Sequence, residues 1–324
     1  MSDEDYLWDK SGEPAPDVAH LENLLAALRW SGRQPASPGR MPANWWPRNR
    51  AWLMAAAALI TLGLGAAFVS QKLRVAQPLL SWQLSLAGKS PSSVRSGQII
   101  ETGLSNALME SASIGEVQID PNSRLRLLAA AQQDQSRLAL DHGTIHAFIW
   151  APPTKFVVDT PSAKAVDLGC QYTLTVDKDG KGMLTVETGW VAFQWKGLES
   201  FIPEGAACTT RAKHGPDTPY FLDAPEVLTK SLAEFDRTGN TQAMRAVLTA
   251  ARPRDALTLW HLLERTHGSA RAEVFDRFAE LVKLPPGIER AAILRGDRES
   301  LDAAWDALQL GDTSWWREWK RNWR

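Results

Sequence analysis

The chain has 324 residues, with 36 lysines and arginines against 37 aspartates and glutamates, for a net charge of −1. That balance excludes a nucleic-acid binder or an anionic-surface binder that works through bulk charge. The length leaves room for about two folded domains.

Residues 1–30 are acidic: Asp3, Glu4, Asp5, Asp9, Glu13, Asp17 and Glu22 stand against Lys10 before Arg29 is reached. Pro14 and Pro16 precede an apolar stripe at Val18, Leu21, Leu24, Leu25 and Leu28, the spacing of one amphipathic helix. A single such helix has no core of its own and docks on something else. Membrane surfaces favour a basic polar face, and this one is acidic, so a protein partner is expected. Leu21, Leu24, Leu25 and Leu28 would be its anchors. Asp17 and Glu22 would steer a basic surface. Residues 31–50 are rich in Pro, Gly, Ser and Arg and read as a linker, with Trp45 and Trp46 near its end.

Residues 51–70, AWLMAAAALITLGLGAAFVS, contain neither charge nor proline. As a helix they reach roughly 30 Å, which predicts a single membrane span. A buried, alanine-rich core helix is the other reading. Arg33, Arg40, Arg48 and Arg50 before the run, against Lys72, Arg74 and Lys89 after it, favour a cytoplasmic N-terminus. Residues 71–93 are a connector.

From about 94 to 212 the apolar period becomes two, within a β domain expected over 94–224. Ile114, Val117 and Ile119 precede a Pro121-Asn122 turn. Leu125 and Leu127 follow, then Leu138 and Leu140. Gly143 breaks the run before Ile145, Ala147 and Ile149. Later strands are marked by Phe156 and Val158, Val166 and Leu168, Tyr172 to Val176, Leu184 and Val186, and Val191 to Trp195. Short strands with Gly, Pro and Asp turns predict an all-β domain: sandwich, barrel or β-solenoid. Cys170 and Cys208 both fall here and are a candidate disulfide closing a loop of 38 residues.

Several segments of this region carry a resemblance: Glu101-Thr102-Gly103, Asp120-Pro121-Asn122-Ser123-Arg124-Leu125, and Leu138-x-Leu140-x-x-Gly143-x-Ile145. Phe156-Val157-Val158-x-Thr160-Pro161, Leu168-Gly169-Cys170-x-Tyr172 and Val186-x-x-Gly189-x-Val191 follow in order. The series resembles the FecR domain of bacterial transmembrane anti-sigma regulators, with Cys170 where threonine is usual. The resemblance implies a solenoid-like or sandwich-like periplasmic β-domain on a single-span inner-membrane protein. It also implies that the cytoplasmic segment holds an extracytoplasmic-function sigma factor.

Residues 225–324 read as helices. Leu228, Leu232 and Phe235 space the first, and Met244, Val247 and Leu248 the second. Leu257, Trp260, Leu263 and His267 mark a third, and Val274, Phe275, Phe278 and Leu281 a fourth. Two more follow Pro285-Pro286-Gly287. Such an all-α array offers a face to a periplasmic protein partner. The final WWREWKRNWR, residues 315–324, holds four tryptophans and four basic residues, as an interfacial anchor or a terminal helix docked on the bundle.

Signatures of chemistry are missing. The sequence contains no nucleophile elbow, phosphate loop, zinc-protease motif or dinucleotide fingerprint, so neither an enzyme nor a cofactor is indicated. His142 and His146 are evenly spaced on one expected strand but lack a third ligand, and Asp177, Asp179 and Gly180 read as a hairpin turn. The expectation is therefore a single-span regulator: an all-β domain, then an all-α domain. An envelope-anchored module that binds protein or cell-wall polymer, with no sigma-factor role, is the alternative.

Overall fold

The computed structural model describes residues 16–25, 81–86, 88, 90–129 and 135–310. The apolar run 51–70, the linker 31–50, Leu28 and the tryptophan-rich 315–324 lie outside them. The chain divides into two compact units, 1–75 and 76–324. The first contributes one described helix, α1 (Pro16–Leu25).

The second unit places sixteen strands before six helices, among the described residues. The strands are β1 (Trp82–Leu86), β2 (Ser92–Val94), β3 (Ile99–Glu101), β4 (Ala107–Ser111), β5 (Gly115–Ile119) and β6 (Arg124–Leu128). Next come β7 (Ser136–Ile149), β8 (Phe156–Asp159), β9 (Lys164–Asp167), β10 (Gln171–Val176) and β11 (Gly182–Thr188). The last are β12 (Trp190–Trp195), β13 (Leu198–Pro203), β14 (Ala206–Arg211), β15 (Gly215–Pro216) and β16 (Tyr220–Phe221). The sheet thus begins at Trp82, inside the stretch read as connector. The Trp82 indole is fully buried, donates to Ser136 Oγ at 2.7 Å and packs on Phe156.

The strands form two sheets that share β7. One runs β2-β1-β4-β5-β7-β10-β11-β14, with β15 and β16 both on β14. The other runs β3-β6-β7-β8-β9-β12-β13. Every pairing is antiparallel except β7 with β8. Two expectations are corrected. Strands that pair in two sheets through one shared strand are not the stacked coils of a β-solenoid. No described helix is long and apolar enough to cross a membrane. The longest has 14 residues, about 21 Å of rise against a hydrocarbon core of about 30 Å. The single-span architecture is therefore not what the described structure shows.

How β7 serves two sheets follows from its sequence. Leu138 and Leu140 point inward in its first half, Ile145, Ala147 and Ile149 in its second. Side chains alternate with period two, so inward parity changes from even to odd across residues 141–144. Gly143 makes the change at φ +108°, and a Cβ there would collide with the backbone and side chain of Ser123. β6 shifts register between Arg124 and Leu125 at the same level. Ser123 Oγ accepts from Thr144 N at 3.0 Å, and Ser123 N donates to Thr102 Oγ1 at 3.0 Å. The break expected at Gly143 is thus a crossing inside one continuous strand.

The helices are α2 (Glu226–Thr238), α3 (Thr241–Ala250), α4 (Ala256–Arg265), α5 (Gly268–Leu281), α6 (Arg290–Arg295) and α7 (Arg298–Asp306). Gly239 ends α2 in the left-handed conformation, and Asn240 caps α3 by accepting from Gln242 N. α4 is buried from Ala256 to Leu263. Phe201 of β13, Trp260 and His261 of α4 and Trp305 of α7 form one aromatic cluster, which Trp190 joins through Trp305. The helices and the sheets therefore share a core.

Candidate functional site

α1 carries the residues expected to bind a partner. Leu21 and Leu25 are 57% and 56% exposed, and Glu22 is half-buried. Asp17 and Leu24 lie on the helix backbone, but their side chains, like the whole of Leu28, are outside the described residues. Two exposed leucines at i and i+4 make an apolar strip, the form in which a short helix offers itself to a groove.

In the second unit the resemblance motifs gather at two buried corners. The first is the Thr102–Ser123–Gly143 crossing. The second joins Leu168-Gly169-Cys170 to Gly189, where a Cβ would collide with the Gly169 carbonyl. Asp167 sits in that corner, 1% exposed. Its carboxylate accepts from Gly169 N at 2.7 Å and from the Cys170 thiol at 2.5 Å. Burial pushes the Asp167 carboxyl up to about 7, and its two hydrogen bonds offset this only in part. Burial, then the Asp167 charge, pushes the Cys170 thiol well up. The Tyr172 hydroxyl beside them is buried without a hydrogen-bond partner, and burial raises it too.

Both cysteines are free thiols. The candidate Cys170–Cys208 disulfide is not formed, because each sulfur faces a different partner. Cys170 meets Asp167, while Cys208 donates to the Asp217 carbonyl at 3.2 Å. Burial raises the Cys208 thiol, so neither is a reactive thiolate. The change of parity in β7 also undoes the histidine geometry: even spacing no longer places His142 and His146 on one face. His146 binds Thr173 Oγ1 and Asp120 Oδ2 at 2.9 and 3.2 Å. Among the described residues no group of three or more His, Cys, Asp or Glu is placed to hold a metal. Asp177 closes the β10–β11 hairpin by accepting from the Asp179 and Lys181 amides.

An open cleft of about 770 Å³ lies between the second sheet and the helices. Its floor is the cross-strand row Val166, Ala192 and Phe201. The next row, Lys164, Gln194 and Glu199, gives it a polar rim, and Arg298 and Leu301 of α7 form the opposite wall. An apolar floor with a mixed-charge rim suits non-covalent recognition.

The seam beside the cleft was not visible in the sequence. β13 ends its sheet, and an edge strand leaves N–H groups open. His261 Nε2 accepts from Phe201 N at 3.0 Å while its Nδ1 bonds the Leu257 carbonyl at 2.9 Å, which sets a neutral ring. Arg265, one turn on, reaches Ser200 Oγ and the Pro216 and Asp217 carbonyls. The available signal was a histidine and an arginine four apart on a largely apolar helix. Their partners lie 60 and 65 residues away.

Residues 100–192 match the family model of the FecR protein. The match spans less than a third of the chain. The match covers β3 to the start of β12, so it contains both motif corners. It stops short of the seam and the helices. No curated protein matches the chain. Two crystal structures from Parabacteroides distasonis ATCC 8503, both of a provisionally named anti-sigma factor, align with TM-scores of 0.30 at 17% and 15% identity. They cover 44% and 45% of this chain and 63% and 65% of their own, less than two thirds of those chains. At a TM-score of 0.30 the likeness lends no weight to either fold or function. Within the matched region the motif residues serve turns, crossings and close backbone contacts. They build a scaffold.

Proposed function

We propose that this chain is a FecR-type regulator that passes a signal to a protein partner through α1. The FecR match at residues 100–192 supports the regulator class. The observation that carries the partner site is the exposed pair Leu21 and Leu25 on α1. In the finer form of the proposal the partner is an extracytoplasmic-function sigma factor, and the location is the bacterial inner membrane with the FecR domain on the periplasmic side. The proposal assigns no reaction, cofactor or metal to the chain.

Affinity capture with the full chain tests it. The wild type should retain a sigma factor, and Leu21→Asp with Leu25→Asp should lose it. Equal capture by both would overturn the α1 assignment. A second reading, an envelope module that binds protein or cell-wall polymer, is favoured by the cleft over Val166, Ala192 and Phe201. Under that reading the Leu21/Leu25 variant keeps full function, and Ala192→Trp, which fills the cleft floor, loses it.

A further inference from the structure

The cleft over the second sheet carries more positive charge than its own carboxylates balance. Lys164, Lys196, Arg271 and Arg298 line it. Of its acids, Asp159 already pairs with Arg137 and Glu199 accepts from Gln194 Nε2 at 3.0 Å, with Glu264 of α4 as the third. Lys196 lies over the Trp195 ring. Among the described residues no carboxylate comes within ion-pair distance of Lys164, Arg271 or Arg298. Arg271, on α5, is only 7% exposed. Its Nε donates to the Thr266 carbonyl at 2.7 Å, its Nη1 to the Leu294 carbonyl at 3.1 Å and its Nη2 to His267 Nδ1 at 3.1 Å. All three acceptors are neutral, so a guanidinium charge is buried without a counter-ion, which folded proteins avoid. Three bonds also leave part of its five-donor fork unused. Gly296, itself a cleft residue at φ +77°, lies against Nη1, and a Cβ there would come within 2.9 Å of it.

An apolar floor beneath unbalanced cations defines the chemistry of an occupant. Val166, Ala192 and Phe201 make a bed with a small residue in its middle, and about 770 Å³ holds a molecule of ordinary ligand size. Lys164 stands in the row beside that floor, while Arg271 and Arg298 belong to the helical side. A guanidinium with donors to spare takes a carboxylate or a phosphate head. We propose that the cleft is a binding site for an amphipathic anion. Its carboxylate or phosphate head sits between Lys164 and the two arginines, and its apolar body lies on Val166, Ala192 and Phe201. Such a ligand supplies the counter-ion that Arg271 lacks. The inference goes beyond both readings above and does not rest on α1, so its failure leaves the α1 assignment standing.

Fluorescence titration of the full chain with anilinonaphthalene sulfonate, an aromatic anion, reads the cleft directly. The wild type should bind it saturably. Lys164→Gln with Arg298→Gln should weaken binding about tenfold, the ratio expected from losing two charge contacts near the surface. Lys164 is half-buried and Arg298 exposed, so this variant keeps the fold, and an unchanged thermal transition confirms it. Ala192→Trp, which fills the floor, should abolish binding. Octanoate or octyl phosphate should displace the probe where octanol at the same concentration does not, and the stronger of the two anions identifies the head group. Unchanged probe affinity in the Lys164/Arg298 variant would overturn the proposal. Displacement by octanol as strong as by either anion, or no saturable binding to the wild type, would overturn it too.

Discussion

The crossing in β7 and the seam between β13 and α4 both hold the second unit together, in opposite ways. At the crossing the contacts are backbone-close and arise from residues 20 or so apart. Ser123 bonds Thr144, Thr102 bonds Ser123, and Gly143 leaves the space in which they meet. At the seam, side chains of one helix satisfy a strand edge 60 or more residues upstream. The first arrangement leaves a motif, because the small residues that permit close approach have no substitutes. The second leaves almost none, because any helix carrying one acceptor and one donor at the right turn would serve. The FecR match accordingly includes the crossing and stops before the seam.

The most severe test of this contrast is Gly143→Val. The added side chain collides with Ser123 at a backbone angle that L-residues avoid, and we expect a loss of about 4 kcal/mol or more. Urea denaturation should show the 76–324 unit largely unfolded. A midpoint within experimental error of the wild type would show that the crossing does not depend on glycine. His261→Ala should cost about 3 kcal/mol, since it leaves the Phe201 amide unsatisfied and opens a cavity in the aromatic cluster. Hydrogen exchange should quicken at Phe201 well before it does at β10. Equal protection of the two would place seam and crossing in one cooperative element and remove the contrast.

Asp167 sharpens the comparison from within the motif corner. Burial holds its carboxyl at about 7 in the fold, above the ordinary value of 3.8. The folded state therefore keeps a proton that the unfolded chain releases. The contribution of this one carboxyl to stability is greatest below about pH 4, falls as pH rises through the interval to about 7, and is level above it. The ionisable groups beside it are Cys170 and Tyr172, both pushed up and neutral throughout this range. Asp167→Asn should raise stability at pH 8 by about 2 kcal/mol and flatten the profile between pH 4 and 7. Thermal melts across that range would show it, and an unchanged slope would mean that the carboxyl ionises freely. The smallest effect is expected at α1. Leu21→Asp with Leu25→Asp should change the melting of the second unit by less than about 0.5 kcal/mol, as exposed substitutions do. A larger shift would mean that α1 is held by the second unit rather than kept for a partner.

Much of the β region was legible from alternation alone. Leu138, Leu140, Ile145, Ala147 and Ile149 are all buried, as are Tyr172, Leu174 and Val176. The helices at Leu228, Met244, Leu257 and Val274 lie where their spacing puts them. Gly143 was readable as a break, but not as a change of parity, because period two says which residues share a face and not when the face changes sheets. The two histidines on β7 were misplaced for the same reason. Trp82 was passed over because two short strands, β1 and β2, carry too few alternations to register.

The candidate site divides in the same way. Leu21 and Leu25 were visible because a helical stripe is a local property of ten residues. Sequence by itself determined the alternating strands, the FecR motifs and the helical run, all of which follow from backbone periodicity and from the steric demands of glycine. Only the tertiary structure decided that β7 joins two sheets, that α4 covers the edge of β13, and that the cysteines stay apart. Each of these depends on which distant groups meet, and hydrogen-bond satisfaction at long range leaves no period in the chain.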